Sequence, residues 1–126
     1  MPEDWDALFA VARDREIWAR HPAWDRFQEP VFRDYFAEAL ASRGGLTVVD
    51  KASGRAIGAS RFAAFPDSDE VEIGWTFLSR DFWGGAVNRQ MKRLMLAHAL
   101  KTHRMFCIGN REKIRIIFVD IINGFL

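Results

Sequence analysis

The chain has few of the residues that form disulfides or metal sites. It has one cysteine, Cys107, which excludes an internal disulfide and a cysteine-rich zinc site. Its three histidines lack zinc spacing with further ligands, so no metal is expected. No apolar run approaches the ~18 residues of a membrane span, and the acidic start lacks the basic flank and apolar run of a signal peptide. We expect a cytoplasmic protein with no membrane segment.

The composition and the charge distribution predict one globular domain with a charged ligand site. The 126 residues are 49% hydrophobic and 28% charged, which is typical of a single folded domain over 1–126. The net charge of +1 conceals an asymmetry: residues 66–73 carry −4, whereas 80–115 carry nine basic and two acidic residues, a net +7. Such a contrast favours an anionic ligand beside a cationic one, and solvated helix faces are the alternative explanation.

Apolar residues at helical spacing predict three helices before Gly44-Gly45. These begin at Trp5 with Asp4 as the N-cap, at Asp14, and at Pro30. The period then changes to that of strands, and we predict an antiparallel meander over 46–49, 56–65 and 71–78. In the third strand, alternation places Val71, Ile73, Trp75 and Phe77 on one face and Glu72, Gly74, Thr76 and Leu78 on the other.

A further helix and strand complete the predicted fold. The helix turns five residues inward: Met91, Leu94, Met95, His98 and Ala99. A strand at 105–108 follows, and the order strand, helix, strand makes a right-handed parallel crossover. The apolar tail over 114–126 is predicted as strand from its β-branched content. The fold class is therefore α/β (α+β mixed), a central mixed sheet of antiparallel meander plus parallel crossover strand, flanked by helices.

The turn between the third strand and the fourth helix is the strongest chemical signal. Gly84-Gly85-Ala86 opens a helix whose first N–H groups attract an anion, and small residues let a phosphate approach the backbone. Arg89, Lys92 and Arg93 add positive charge there. The turn has neither the Gly-Lys-Ser/Thr of a Walker loop nor the dinucleotide G-x-G-x-x-G pattern. A plain tight turn is the alternative interpretation.

Residues 56–100 resemble the GNAT superfamily of acetyl-CoA-dependent N-acetyltransferases, in the branch that includes N-terminal ribosomal-protein acetyltransferases. Three stretches carry the resemblance: Ile57-Gly58-Ala59-Ser60-Arg61-Phe62, Val71-Glu72-Ile73-Gly74-Trp75-Thr76-Phe77-Leu78, and Phe82-Trp83-Gly84-Gly85-Ala86-Val87-Asn88 with the helix that follows. The helix at 32–40 and His21-Pro22 also fit, so the likeness covers about 5–100.

The resemblance implies a site for acetyl-CoA as co-substrate, in a sheet that splays between the third strand and the strand at 105–108. The pantetheine would contact Thr76, Phe77 and Leu78, with Trp83 as a wall. The pyrophosphate would lie on the turn and helix start, formed by Gly84, Gly85, Ala86, Val87, Asn88 and Arg89. Asn88 replaces a small residue of the usual loop, so its backbone contact requires helical geometry. Glu72 matches the general base of several members, and an exposed strand carboxylate is the alternative.

The implied reaction is acetyl transfer to a primary amine, either of a small molecule or of a protein N-terminus. Members often supply a tyrosine after the last crossover strand to protonate the thiolate, yet the only tyrosine is Tyr35. The tail over 104–126 also departs from the family pattern. The second hypothesis is therefore a clipped, inactive domain that binds coenzyme A or a partner chain, with Ile116 to Val119 as an edge for a homodimer.

Nucleic acid is not an expected partner. The basic residues do not share one helix face, and the sequence pI of about 8.0 is below the ~9 usual for such domains. Aromatic residues are not interleaved with the cations as base stacking requires.

Overall fold

The described part of the chain forms four helices and five strands, with two short 3₁₀ turns at Pro2–Asp4 and Arg80–Phe82. The computed structural model of the chain describes residues 1–64, 70–102, 105–108 and 115–117. The helices are α1 (Trp5–Ala12), α2 (Arg15–Trp18), α3 (Glu29–Ser42) and α4 (Val87–Thr102). The strands are β1 (Gly45–Val49), β2 (Ala56–Ala64), β3 (Glu70–Leu78), β4 (Met105–Ile108) and β5 (Arg115–Ile117).

The strands form one sheet in the order β1-β2-β3-β4-β5. The first three pair antiparallel, which confirms the predicted meander. β4 lies parallel to β3, with pairs from Glu70↔Met105 to Ile73↔Ile108, and β5 pairs antiparallel with β4. The strand predicted for the tail is present at Arg115–Ile117, and the rest of 109–126 lies outside the described residues.

A break in the middle of β3 makes the predicted face assignment wrong. Trp75 has a left-handed φ of 52°, and the register with β2 shifts between Ala59 and Arg61. A bulge of this kind reverses the alternation beyond it. Ile73 consequently packs with α4, whereas Phe77 packs with α1–α3 on the opposite side of the sheet. Glu72 lies between two residues that face α4, so it faces the side of Phe77 rather than the side away from it.

Each face of the sheet has its own hydrophobic cluster. The cluster under the first three helices consists of Leu8, Ala12, Trp18, Phe32, Tyr35, Ala59 and Phe77. The cluster under the fourth helix consists of Val71, Ile73, Met91, Met95, Leu96 and Ala99. The two clusters hold β3 from both sides, and the cofactor segment predicted from the sequence lies at the end of this strand.

The inward face of α4 is not the predicted one. Met91, Met95 and Ala99 are buried as expected, but Leu94 is 73% exposed and His98 is exposed. Leu96 is buried instead, so at 100° per residue the buried stripe is centred between Met95 and Leu96. This rotation places the polar residues Asn88 and Lys92 on the side of the helix that meets the sheet.

Asp4 is the N-cap residue of α1, as predicted, but its side chain makes no capping bond. Its carboxylate accepts a hydrogen bond from the Thr47 hydroxyl at 2.8 Å, which ties the start of the helix to β1. Pro30 does lie in the first turn of α3, as predicted.

Candidate active site

A cavity of about 320 Å³ lies at the carboxyl end of β3. Six residues predicted to bind the cofactor line it: Thr76, Phe77, Leu78, Trp83, Gly84 and Asn88. The opposite wall comes from α2 and the turn after it, namely Ile17, Trp18 and His21, and Phe82 completes the lining. The structure therefore brings the end of β3, the turn and the first turn of α4 around one space.

One edge of β3 faces this cavity without a strand beside it. β2 covers the other edge, with Gly58 opposite Leu78 and Ala59 opposite Phe77. The pairing with β4 ends at Ile73↔Ile108, the last residue of that strand. In the described part of the chain, the backbone of 74–78 thus lacks a partner strand on the cavity side. A ligand with amide groups can form hydrogen bonds with the backbone of such a free edge.

Trp83 closes one side of the cavity. Its indole N–H donates to the Leu78 carbonyl at 2.9 Å, and its side chain remains 52% exposed. The bond fixes the ring next to the strand end, so the predicted wall is positioned before any ligand binds. It also occupies the Leu78 carbonyl. Phe77 is in register with Ala59 in the ladder with β2, so the Thr76 backbone is the more available contact.

The turn and helix start place backbone N–H groups without helical partners beside the cavity. Gly84 has a φ of 73°, which a side chain would strain. Gln90 N–H makes a helical bond to Ala86 at 2.9 Å, so the three preceding N–H groups, of Val87, Asn88 and Arg89, have no carbonyl within the helix. No acidic residue lies in this first turn. Gly85, Ala86, Val87 and Arg89 do not line the cavity itself, but their backbone continues directly from residues that do.

An ion pair fixes the two walls relative to each other. The Arg80 guanidinium bonds the Asp14 carboxylate at 2.6 Å, joining the start of α2 to the turn after β3. The guanidinium lowers the pKa of Asp14 below its ordinary value. Trp18, 1% exposed, donates from its indole to the Ala12 carbonyl at 2.7 Å. The α2 wall is consequently rigidly attached to the core.

The predicted base does not line the cavity. Glu72 is half-buried on β3, four residues before Thr76, which is about 13 Å along an extended strand. It makes no hydrogen bond or ion pair with the described residues. His21, interpreted from the sequence as a loop residue, does line the cavity, and its Nδ1 accepts from the Ala23 N–H at 2.9 Å.

The structure adds a polar cluster that sequence reasoning missed. The Lys92 ammonium donates to the Thr76 hydroxyl at 2.8 Å, and that hydroxyl lies 2.8 Å from the hydroxyl of Ser60, which is 1% exposed. Burial lowers the pKa of Lys92 from 10.5 to about 8. The signal was present in the sequence: a helical wheel that includes Leu96 places Lys92 on the buried stripe.

The partly buried Lys92 should cost stability at neutral pH. Its folded pKa of about 8 lies below the unfolded value, so the cost is present below about 8 and is relieved as pH rises toward 10.5. A Lys92→Met variant should therefore unfold with about 1–3 kcal/mol more free energy at pH 7, after the lost hydrogen bond is deducted. The difference should shrink above pH 8. Urea unfolding from pH 7 to 10 measures it, and an equal gap at every pH would contradict the expected titration.

Comparisons with known proteins identify the family. The structure has a mixed sheet with a cavity between a strand edge and a glycine turn. The family model of the acetyltransferase (GNAT) domain matches residues 1–120, and the chain belongs to this family. This confirms the resemblance seen in the sequence. No curated protein matches the chain in sequence.

Solved structures share the fold at low sequence identity. A GNAT-family acetyltransferase from Bacillus anthracis is 14% identical, with a TM-score of 0.68 over 84% of this chain and 63% of its own. A ribosomal-protein-alanine N-acetyltransferase from Brucella melitensis is 16% identical, with a TM-score of 0.59 over 86% and 69%. Mycobacterium smegmatis RimJ in complex with CoA-disulfide is 12% identical, with a TM-score of 0.63 over 90% and 61%.

The chain is short beside these relatives, since it spans less than two thirds of the Bacillus and Mycobacterium proteins. Within the described residues, no group of three His, Cys, Asp or Glu is arranged to hold a metal ion. In the same part of the chain, no helix has the length and apolarity to cross a membrane.

Proposed function

We propose that this protein transfers an acetyl group from acetyl-CoA to a primary amine, such as the N-terminal amine of a protein. One observation carries the proposal: in a chain of the GNAT family, the cavity combines the unpartnered edge of β3 with the open N-terminus of α4. The Mycobacterium relative with CoA-disulfide and the Brucella relative named for ribosomal-protein alanine support the donor and the class of acceptor.

The cofactor would lie along the site from the helix to the strand. The N–H groups of Val87, Asn88 and Arg89 would receive the pyrophosphate, and Asn88 has the required helical geometry. The Arg89 side chain is exposed at the same turn and would add positive charge. The pantetheine amides would bond the free backbone edge at Thr76, and the arm would pass Phe77 and Trp83, which line the cavity.

Little further machinery is needed for the reaction. A thioester is already activated, so holding the amine against it supplies much of the rate. The amine must first lose a proton, and an α-amino group titrates near ~8, so a modest base suffices. We propose that Glu72 does this through water, since its position about 13 Å along the strand from Thr76 leaves no direct contact.

Coenzyme A titration by calorimetry tests the binding half of the proposal. We expect saturable binding in the micromolar range typical of enzyme substrates, at about one site per chain. Desulfo-coenzyme A should bind nearly as well, because the contacts proposed above involve the pyrophosphate and amides. Absence of binding at millimolar ligand would refute the proposed function for this chain. Binding without transfer to any amine of a peptide panel would instead favour the inactive coenzyme A-binding domain.

Replacing the proposed base should slow turnover without affecting the cofactor. For Glu72→Gln we expect kcat/KM for a peptide amine to fall by about 10²-fold, the lower end of what general base catalysis contributes. The loss should shrink as pH rises above 8, because the amine then deprotonates unaided. Coenzyme A affinity should be unchanged. Glu3→Gln, at an exposed residue remote from β3, is the matched control. An unaltered pH–rate profile in Glu72→Gln would remove Glu72 from the mechanism.

A further inference from the structure

When the acetyl group is transferred, the coenzyme A thiolate that leaves needs a proton. Few of the described side chains that line the cavity can donate one. Tyr35 is not among the lining residues of this cavity, and its hydroxyl donates to the Trp75 carbonyl at 2.7 Å. Burial raises the pKa of Tyr35 to about 12, which makes it a poor acid in any case. Among the described lining residues, only His21 and Thr76 carry a side chain that can pass a proton in a neutral site.

Thr76 lies where the reactive end of the cofactor should be. It is the lining residue of β3 farthest from the turn, two residues before Leu78, which is about 7 Å along the strand. A cofactor with its pyrophosphate at 87–89 and its arm along β3 therefore brings its sulfur toward Thr76.

The Thr76 hydroxyl is bonded to a buried cation. Lys92 lies one helical turn after Asn88, on the same face of α4, and its ammonium donates to Thr76 Oγ1 at 2.8 Å. Because an ammonium is only a donor, Thr76 accepts there and keeps its own O–H for another partner. Ser60 does not need that proton, since its hydroxyl can donate either to Thr76 or to the Gly74 carbonyl at 3.3 Å. The Thr76 O–H itself has the Gly74 carbonyl as an acceptor at 3.4 Å, a long bond that it can give up to turn toward the cavity.

We propose that Lys92 is the proton source for the leaving thiolate and that Thr76 relays the proton. This inference rests on the proposed function and names the group that completes its reaction. As the amine nitrogen bonds the acetyl carbon, the carbon–sulfur bond breaks and sulfur takes the Thr76 hydroxyl proton. Thr76 takes a proton from Lys92, and Lys92 later regains one from solvent. The nitrogen loses its surplus proton to water or to Glu72, so the products are the amide and coenzyme A thiol.

Burial, and not a neighbouring charge, lowers the pKa of Lys92. On α4, its nearest charged neighbours are Arg89 and Arg93, and both are exposed. β2 and β3 present Ser60 and Thr76 to it, while Arg61 and Glu72 lie on the other face of the sheet. From β1, Asp50 and Lys51 line a separate cavity with Gln90. No carboxylate is paired with Lys92 among these groups, so its proton is held weakly, with a pKa of about 8.

The test compares pH–rate profiles of kcat for two variant pairs, one at Lys92 and one at Thr76. The wild-type rate should fall on the alkaline side, above about 8, as Lys92 loses its proton. Lys92→Met should lower kcat by about 10²-fold and abolish that alkaline limb. Lys92→Arg keeps a charge but cannot release a proton, so it should lose about as much rate as Lys92→Met and also lack the limb. Thr76→Val should reproduce the Met variant, and Thr76→Ser should restore wild-type behaviour.

Control variants exclude loss of charge or of folding. Lys51→Met removes one exposed lysine and should keep both the rate and the alkaline limb. Coenzyme A affinity and the circular dichroism spectrum should be unchanged in Lys92→Met. The proposal is wrong if Lys92→Met or Thr76→Val keeps both the wild-type kcat and its fall at alkaline pH. If the alkaline fall in kcat remains in Lys92→Met but disappears in His21→Gln, the proton comes from His21 instead.

An equilibrium measurement separates this proposal from the proposed function. If coenzyme A does not bind, the proposed function fails. If it binds, its thiol can be titrated in the complex by the ultraviolet absorbance of the thiolate, whether or not the protein turns over. An ammonium near sulfur stabilises the thiolate, so the bound thiol should ionise at lower pH in wild type than in Lys92→Met. Identical titrations in the two proteins would refute the placement of Lys92 near the sulfur.

Discussion

Gly85→Glu should abolish coenzyme A binding. Gly85 lies between the positive-φ Gly84 and the helix start, beside N–H groups that have no partner in the helix. A carboxylate there would meet the pyrophosphate at close range, and two like charges about 4 Å apart repel by about 4 kcal/mol near a protein surface. We therefore expect affinity to fall by at least about 100-fold in a calorimetric titration.

Two substitutions at the same position separate charge from bulk. A Cβ at Gly85 would meet its nearest atom, the Phe82 carbonyl oxygen, at 3.8 Å, which is ordinary contact. Gly85→Ala should consequently retain most of the affinity, and the neutral, equally large Gly85→Gln should lose less than the Glu variant. If Gly85→Glu bound coenzyme A as wild type does, the pyrophosphate would have to lie elsewhere.

Phe32→Ala should remove much of the stability of the domain. Phe32 is fully buried, and its ring contacts those of Trp5, Tyr35 and Phe77 at centroid distances of 5.2–5.7 Å. Loss of a buried phenylalanine costs about 3–5 kcal/mol, against a total of about 5–15 kcal/mol for an ordinary domain. Urea unfolding should show this loss, and coenzyme A should protect the variant less, because Phe32 supports the β3 residue that lines the cavity.

Leu40→Ala on the same helix is the matched control. Leu40 is 38% exposed, so its truncation leaves a smaller cavity and should cost about 1 kcal/mol or less. Similar losses in both variants would mean that the cluster around Phe32 is not the main core on this side of the sheet.

Local sequence was sufficient for the elements and for the cofactor segment. Pro30, the Gly44-Gly45 pair and the Gly84-Gly85 turn act on backbone conformation within a few residues, so the helices and the meander could be placed without tertiary information. The run from Thr76 to Asn88 resembled a known family because strand, turn and helix are contiguous there. The same contiguity explains why seven of its residues meet around one cavity.

Tertiary packing determined which faces of β3 and α4 are buried, which alternation and periodicity did not predict. The bulge at Trp75 depends on the register with β2, so strict alternation misplaced the faces of Phe77 and Glu72. The rotation of α4 depends on which side of the helix the sheet covers, and it exposed Leu94 while burying Lys92. Both features rest on contacts between residues distant along the chain. The local sequence therefore predicted residues that meet around the cavity at the end of β3. The position of Lys92 against Thr76, in contrast, was determined only by the packing of helix and sheet.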